Sequence, residues 1–182
     1  MVMYMYYVNI FFIFSVLGFL FENFLNIFTN DNFNSGILFG PWTFIYGFGA
    51  FLIIILNKFL NQYHMKKWKQ VFIFYVGITI LMTLVEFIGG NLIEILFHRT
   101  YWDYTNMRFN YGKYICLEVS LLWGILATLI NYFVFPWINK FEKKIPIWVS
   151  IGFIILFSID IIILYFIKYV VFFPFLFLKC DD

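Results

Sequence analysis

This chain has little charge. Lysine, arginine, aspartate and glutamate make up 12% of its 182 residues, about half the share of an ordinary soluble domain. With 64% of positions apolar and 26% aromatic, a small soluble fold could not cover its surface with polar groups. Disorder, a secreted disulfide scaffold and an ordinary cytosolic enzyme are excluded together. Cysteine is nearly as scarce. Cys116 and Cys180 form no C-x-x-C pair and no disulfide framework; Cys116 reads as a small apolar packing residue, and Cys180 does not match a prenylation box. No G-x-x-x-x-G-K-[ST] stretch occurs, so the chain has no P-loop with which to hydrolyse ATP. A basic n-region and a small-residue cleavage site are missing from the N-terminus. The apolar run there continues for roughly 25 residues, too long for a signal-peptide core, and is expected to stay as the first span. A net charge of +2 gives no reason to expect nucleic acid as a partner.

What is abundant is phenylalanine, 28 residues of it, and mean hydropathy is +0.89. These values describe an integral membrane protein. At about 20 apolar residues per crossing, the length allows five or six helices and no soluble domain. The expected fold is all-α: one integral membrane domain over residues 1–182, a polytopic bundle of about five transmembrane helices, multi-pass in the cell membrane. Five stretches can be read, about Tyr4 to Phe28, Gly40 to Leu60, Val71 to Phe97, Tyr114 to Pro136 and Ile147 to Tyr169. The second is expected to open on Gly40-Pro41, since proline suits a first helical turn. The apolar segment Phe172 to Leu178, broken by Pro174, is too short to cross again and is expected at the interface.

Orientation follows from lysine and arginine. Lys58, Lys66, Lys67, Lys69, Lys140, Lys143 and Lys144 fall on one side; Arg99, Arg108, Lys113, Lys168 and Lys179 fall on the other. Seven against five places the N-terminus inside and the C-terminus outside. With that topology Glu22, Glu86, Glu94, Glu118 and Asp160, from four different helices, fall in the outer half of the bilayer, beside His98 and Asp103. Ionisable residues there cost about 2.5–3.5 kcal/mol each on insertion scales and mark functional candidates.

Spacing supports a shared polar interior. Ser15, Gly18, Glu22, Asn26 and Thr29 form one stripe at helical steps, and Glu86, Gly90, Glu94 and His98 form an i+4 ladder covering roughly 18 Å of helix. Gly89-Gly90, and Gly47, Gly49 and Ala50, allow close approach of a neighbouring helix or a ligand. Two readings stand side by side. Polar residues can be interhelical glue worth about 0.6–2 kcal/mol per contact, or the group can be a binding or gating site. Glu94 and His98 share a face that could ligate a metal, although the spacing matches no H-E-x-x-H motif and a hydrogen-bonded pair is the commoner arrangement; no metal and no cofactor are expected. An acid–base dyad is chemically open as well, but no serine or cysteine stands as an obvious nucleophile beside a base. Tyr101-Trp102-Asp103-Tyr104 suits an interfacial aromatic anchor, which leaves Asp103 to be explained by capping or by pairing with Arg99 or Arg108.

The polar residues belong to a longer pattern. Thr83-Leu84-Val85-Glu86, Leu92-Ile93-Glu94, Leu96-Phe97-His98, Tyr101-Trp102-Asp103-Tyr104, Phe109-Asn110, Ile115-Cys116-Leu117 and Leu122-Trp123-Gly124 follow in order, preceded by Gly40-Pro41 and Ile45-Tyr46-Gly47-Phe48-Gly49-Ala50. Over about Phe14 to Pro136 this resembles the bacterial ABC transporter permease family of the CmpB type (ABC-transporter type IV). The additional helix at about 147–169 lies outside that stretch. The resemblance implies a permease or membrane subunit that needs an ATPase from a separate chain. The candidates for substrate binding or gating are Glu22, Glu86, Glu94, His98, Trp102, Asp103, Tyr104, Asn110 and Glu118. Two departures stand out: Thr43-Phe44 where the family has Cys-Pro, and Gly112-Lys113-Tyr114 where it has Asn-Gly-Arg. Lys113 or Arg108 must take over whatever that arginine does. Five spans are few for a pore, so membrane lipid and either a homo-oligomer or the ATPase subunit are the expected partners. A membrane-embedded enzyme acting on a lipid or lipid-linked substrate in the outer leaflet, and an accessory membrane subunit, remain the alternatives.

Overall fold

A computed structural model of the chain describes residues 2–29, 38–98 and 100–167. It is all-helical apart from one very short hairpin. Helix α1 covers Val2–Thr29, α2 Phe44–Leu60 and α3 Lys67–Phe97; strands β1 (Asn110–Tyr111) and β2 (Ile115–Cys116) precede α4 (Leu117–Leu129). A π-turn over Ile130–Val134 carries α4 directly into α5 (Phe135–Glu142), and α6 spans Ile147–Phe166. Four of these helical stretches are long and apolar enough to cross a bilayer: Tyr4–Leu25, Lys67–Leu96, Leu117–Glu142 and Ile147–Phe166. The shorter α2 has 17 residues, which is the lower limit for a crossing. The chain is a multi-pass membrane protein. The interfacial segment expected at 172–178, Cys180, and most of the polar loop after the first span lie outside the described residues.

The helix boundaries differ from the expected ones for identifiable reasons. Helix α2 starts at Phe44 rather than at Gly40-Pro41. The residues ahead of it are held in a bend instead: the Trp42 N–H bonds to the Gly40 carbonyl at 2.9 Å, and the Asp160 carboxylate takes the N–H groups of Phe39 and Gly40. The third helix begins four residues early, drawing Lys67 and Lys69 into its first turn. At 31 residues it is about 46 Å long, more than the roughly 30 Å hydrocarbon thickness, so it has length to spare beyond the bilayer core. The fourth helix begins at Leu117, because Tyr114 belongs to the hairpin, and it runs to Glu142. Pro136 does not end it. Proline has no N–H to offer the Tyr132 carbonyl and its ring crowds that group. The chain widens there, and the Phe135 N–H reaches back five residues to the Ile130 carbonyl.

The described residues divide into two compact units, one from those up to 47 and from 142 onward, the other from those between 48 and 141. In the first, α1 packs against α6. Phe12 stacks on Phe153 at 5.3 Å between centroids and meets Phe157 edge-on at 5.6 Å. Ser150 Oγ donates to Asn9 Oδ1, and Asn9 Nδ2 donates to Glu142 Oε1 at 3.0 Å, so the buried amide of Asn9 is used at both ends. In the second unit α3 and α4 make the main contact. Gly124 sets their spacing: a methyl group there would collide with the Thr79 hydroxyl and touch the Tyr75 ring at 3.0 Å. Phe74 and Ile78 of α3 are both fully buried, and Phe74 meets the Tyr132 ring edge-on at 5.9 Å. Most remaining large apolar side chains of α3, α4 and α6 are exposed, as lipid-facing residues must be.

Candidate functional site

Helix α3 delivers its acids to a loop that folds back over its C-terminal end. The loop is shaped by backbone contacts. The Tyr104 N–H donates to the Lys113 carbonyl at 2.8 Å, and the Leu117 N–H to the Phe109 carbonyl at 3.0 Å. In the hairpin Asn110 pairs with Cys116 and Tyr111 with Ile115, around a three-residue loop whose first residue, Gly112, has φ +66°. That left-handed conformation suits glycine. Asn110 Nδ2 donates to the Gly112 carbonyl at 3.0 Å, so the exposed Asn110 serves the turn.

Glu86 is the buried member, with 7% of its surface accessible. Its Oε1 accepts two hydrogen bonds, from the Tyr104 hydroxyl at 3.0 Å and from the Trp123 indole N–H at 2.9 Å. Its Oε2 is buried and has no partner. One turn on, Gly90 is buried against the Tyr114 ring, which leaves no room for a side chain there. Two turns on, Glu94 is half-exposed and fully engaged. Its Oε1 pairs with Lys113 Nζ at 2.6 Å, and its Oε2 accepts from the Tyr114 hydroxyl at 2.7 Å. Lys113 therefore does pair with an acid, whereas Arg108 lies over the Phe109 ring at 5.3 Å.

The ladder stops at His98. This residue adopts φ 51°, ψ 36°, and its N–H caps the helix by donating to the Glu94 carbonyl. His98 is exposed and ends the helix in this left-handed conformation. Trp102 packs edge-on against Tyr114 at 6.0 Å, and its indole N–H is buried without a partner. Asp103 is exposed and turns on itself, accepting from the Thr105 N–H at 2.9 Å and the Thr105 hydroxyl at 2.7 Å. That is a capping contact, one of the two roles expected for Asp103; Arg99 lies outside the described residues. Glu118 sits exposed in the first turn of α4 and accepts from Cys116 Sγ at 2.7 Å.

Electrostatics of the loop follow from these contacts. The hydrogen bond to Glu94 raises the Lys113 pKa above the usual lysine value. Burial, followed by the neighbouring Glu86, pushes the Tyr104 phenol well above its ordinary range. The Thr105 side chain and backbone hold the Asp103 carboxyl below the usual aspartate value. Burial and then Glu94 raise the Tyr114 phenol. Among the described residues no three His, Cys, Asp or Glu side chains gather as a ligand set would.

Glu86, Glu94, Trp102 and Tyr104 are thus joined by one network of hydrogen bonds and ring contacts, and Asp103 and Asn110 shape the loop that bears it. Glu22 and Asp160 belong to the first unit. Glu22 Oε2 accepts from the Thr43 hydroxyl at 3.4 Å. Ser15 and Gly18 of the expected α1 stripe are buried, Gly18 directly under the Tyr46 ring; the side chains of Asn26 and Thr29 lie outside the described ones. Asp160 accepts three hydrogen bonds, from the N–H groups of Phe39 (3.1 Å) and Gly40 (2.8 Å) and from the Trp42 indole (2.8 Å). Sequence reasoning missed three partners: Trp123 for Glu86, Tyr114 for Glu94 and Trp42 for Asp160. The signal was present in each case. A tryptophan or tyrosine inside a membrane segment carries an N–H or O–H that needs an acceptor, and the acids are the acceptors available.

The family model described as "Putative ABC-transporter type IV" matches residues 9–166, and the chain belongs to that family. The match takes in α6, beyond the stretch 14–136 on which the resemblance was read. No curated protein and no solved structure matches the chain.

Proposed function

We propose that the chain is the membrane permease subunit of an ABC-type transporter whose ATPase is a separate polypeptide. In this reading it forms one integral membrane domain in the cell membrane. Helix α2 makes a fifth crossing beside the four long helices, the N-terminus is inside and the C-terminus outside. Membership of the family over residues 9–166 is the observation that carries the proposal. The folded-back loop supports a role for the end of α3 as the substrate-facing or gating region, because it brings Tyr104, Lys113 and Tyr114 onto Glu86 and Glu94. Soluble ATPase action must come from outside a chain without a P-loop, and a bundle of five helices needs a second copy or another subunit to enclose a pathway.

The experiment is purification of the tagged chain in mild detergent, with mass spectrometry of every protein and lipid that accompanies it. A stoichiometric ATPase is the expected result. A defined bound lipid with no ATPase overturns the transport reading in favour of an outer-leaflet enzyme or lipid-binding protein. Orientation is checked separately with single cysteines in the loop after α3, at Thr105 or Tyr111. They are expected to react with a membrane-impermeant maleimide on intact cells, and labelling only after the cells are opened would invert the topology.

A further inference from the structure

Glu86 is buried between α3, α4 and the folded-back loop, yet each group that bonds to it is neutral. From α4 comes the Trp123 indole and from the loop the Tyr104 phenol. On its own helix the nearest acid along the same face is Glu94, already bound to Lys113 and Tyr114. Cys116 is the other titratable group beside Tyr104. Lys113 pairs with Glu94, and among the described residues no lysine, arginine or histidine forms an ion pair with Glu86. A buried carboxylate with no cation is strongly disfavoured, and proteins avoid it by neutralising the group.

The hydrogen bonds are also lopsided. A carboxylate shares its charge between two equivalent oxygens, and each seeks donors. In Glu86 both donors converge on Oε1, while Oε2 is buried with no partner. In a carboxylic acid the carbonyl oxygen is the better acceptor and the hydroxyl oxygen bears the proton, which is the asymmetry seen here.

We infer that Glu86 is a proton-binding site: a carboxylic acid, neutral at neutral pH, with Oε1 as its carbonyl oxygen and Oε2 as the oxygen that carries the proton. The loop bearing Tyr104 covers it. The inference does not rest on the transport reading, since an accessory subunit with this geometry would bind the same proton.

Infrared difference spectroscopy tests it on the full chain in lipid nanodiscs at neutral pH, comparing the wild type with Glu86→Gln. Glutamine keeps a carbonyl for Tyr104 and Trp123. A protonated-carboxyl C=O band that shifts in D2O, disappears in Glu86→Gln and survives in Glu94→Gln is the expected result. Loss of carboxylate bands from the Glu86→Gln spectrum, with the protonated-carboxyl region unchanged, overturns the inference. Should that variant fail to assemble, dicyclohexylcarbodiimide on the wild-type chain in membranes gives the answer, because it adds to protonated carboxyls in apolar surroundings. An adduct at Glu86 that declines as pH rises supports the site. Adducts at other acids with none at Glu86 overturn it.

Discussion

Asp160 grips Gly40 across 120 residues of sequence, its Oδ2 accepting the glycine N–H at 2.8 Å. The same oxygen accepts the Trp42 indole, and Oδ1 takes the Phe39 N–H. An acid deep in a strongly apolar helix thus serves three donors of the Gly-Pro-Trp bend. It closes the first unit by fixing the bend against α6, with Trp42 meeting Phe157 at 5.9 Å.

Asp160→Ala is therefore expected to be among the most damaging single substitutions in the chain. A buried donor stranded without a partner costs about 1–3 kcal/mol; the Trp42 indole is such a donor, and the partly buried N–H groups of Phe39 and Gly40 lose their acceptor with it, for an expected loss of about 2–4 kcal/mol. Reversible unfolding in mixed micelles measures it. A loss below about 1 kcal/mol would show that the bend is held by something other than Asp160.

Glu86 and Glu94 lie two turns apart on one helix, and their exposure separates them. Glu86→Ala strands the Tyr104 hydroxyl and the Trp123 indole, with an expected cost of about 2–4 kcal/mol. Glu94→Gln removes an ion pair whose partners are 46% and 30% exposed, where water screens the attraction, so its cost is expected to be much the smaller. The same unfolding assay compares the two. Equal losses would contradict the assignment of one acid to the core and the other to the rim.

Gly124→Ala pushes a methyl group onto the Thr79 hydroxyl. Overpacking of this kind costs about 1–3 kcal/mol. Thr79→Ala removes the obstructing oxygen, so the double variant is expected to recover part of the loss in a double-mutant cycle. Additive losses would mean that the two side chains do not meet.

Asp103 and Lys113, in the loop after α3, are expected to add no pH dependence between about 5 and 9. Asp103 has a folded pKa below its unfolded value of about 3.9, so its contribution is complete above that value and is lost as pH falls through the folded one. Lys113 has a folded pKa above its unfolded value of about 10.4; its contribution is complete below that and is lost as pH rises through the folded one. Hydroxyl-radical footprinting of Tyr101, Met107 and Tyr111 at several pH values checks this. A transition centred inside that window would have to come from another group.

Much of this was legible in the residues. The long apolar runs gave the helices, and the i+4 spacing put Glu86, Gly90 and Glu94 on one face, where the structure has them meeting Tyr104, Tyr114 and Lys113 in turn. That His98 is a left-handed cap at the helix end was not legible, because periodicity carries no sign of the conformation that closes a helix. For Asp103 the sequence left capping and arginine pairing open, and the structure shows the local cap, with Thr105 two residues on. The Asp160 bend was hidden by distance. Nothing in the spacing of Gly40-Pro41-Trp42 reveals an acceptor 120 positions on, and a proline there suits a bend as well as a helix start.

The π-turn at Ile130–Val134 has a consequence for how this helix tolerates change in its length. One residue more than a regular turn is accommodated there, so the segments on either side are each internally regular but out of phase by about 100°. Pro136 keeps the wide turn in place. Relatives that lack the proline could delete one residue within 130–134 and keep both faces of the helix in contact with their present neighbours, whereas the same deletion at Gly124 would rotate every downstream side chain away from its partner. Length variation within this family is therefore expected to collect at that turn.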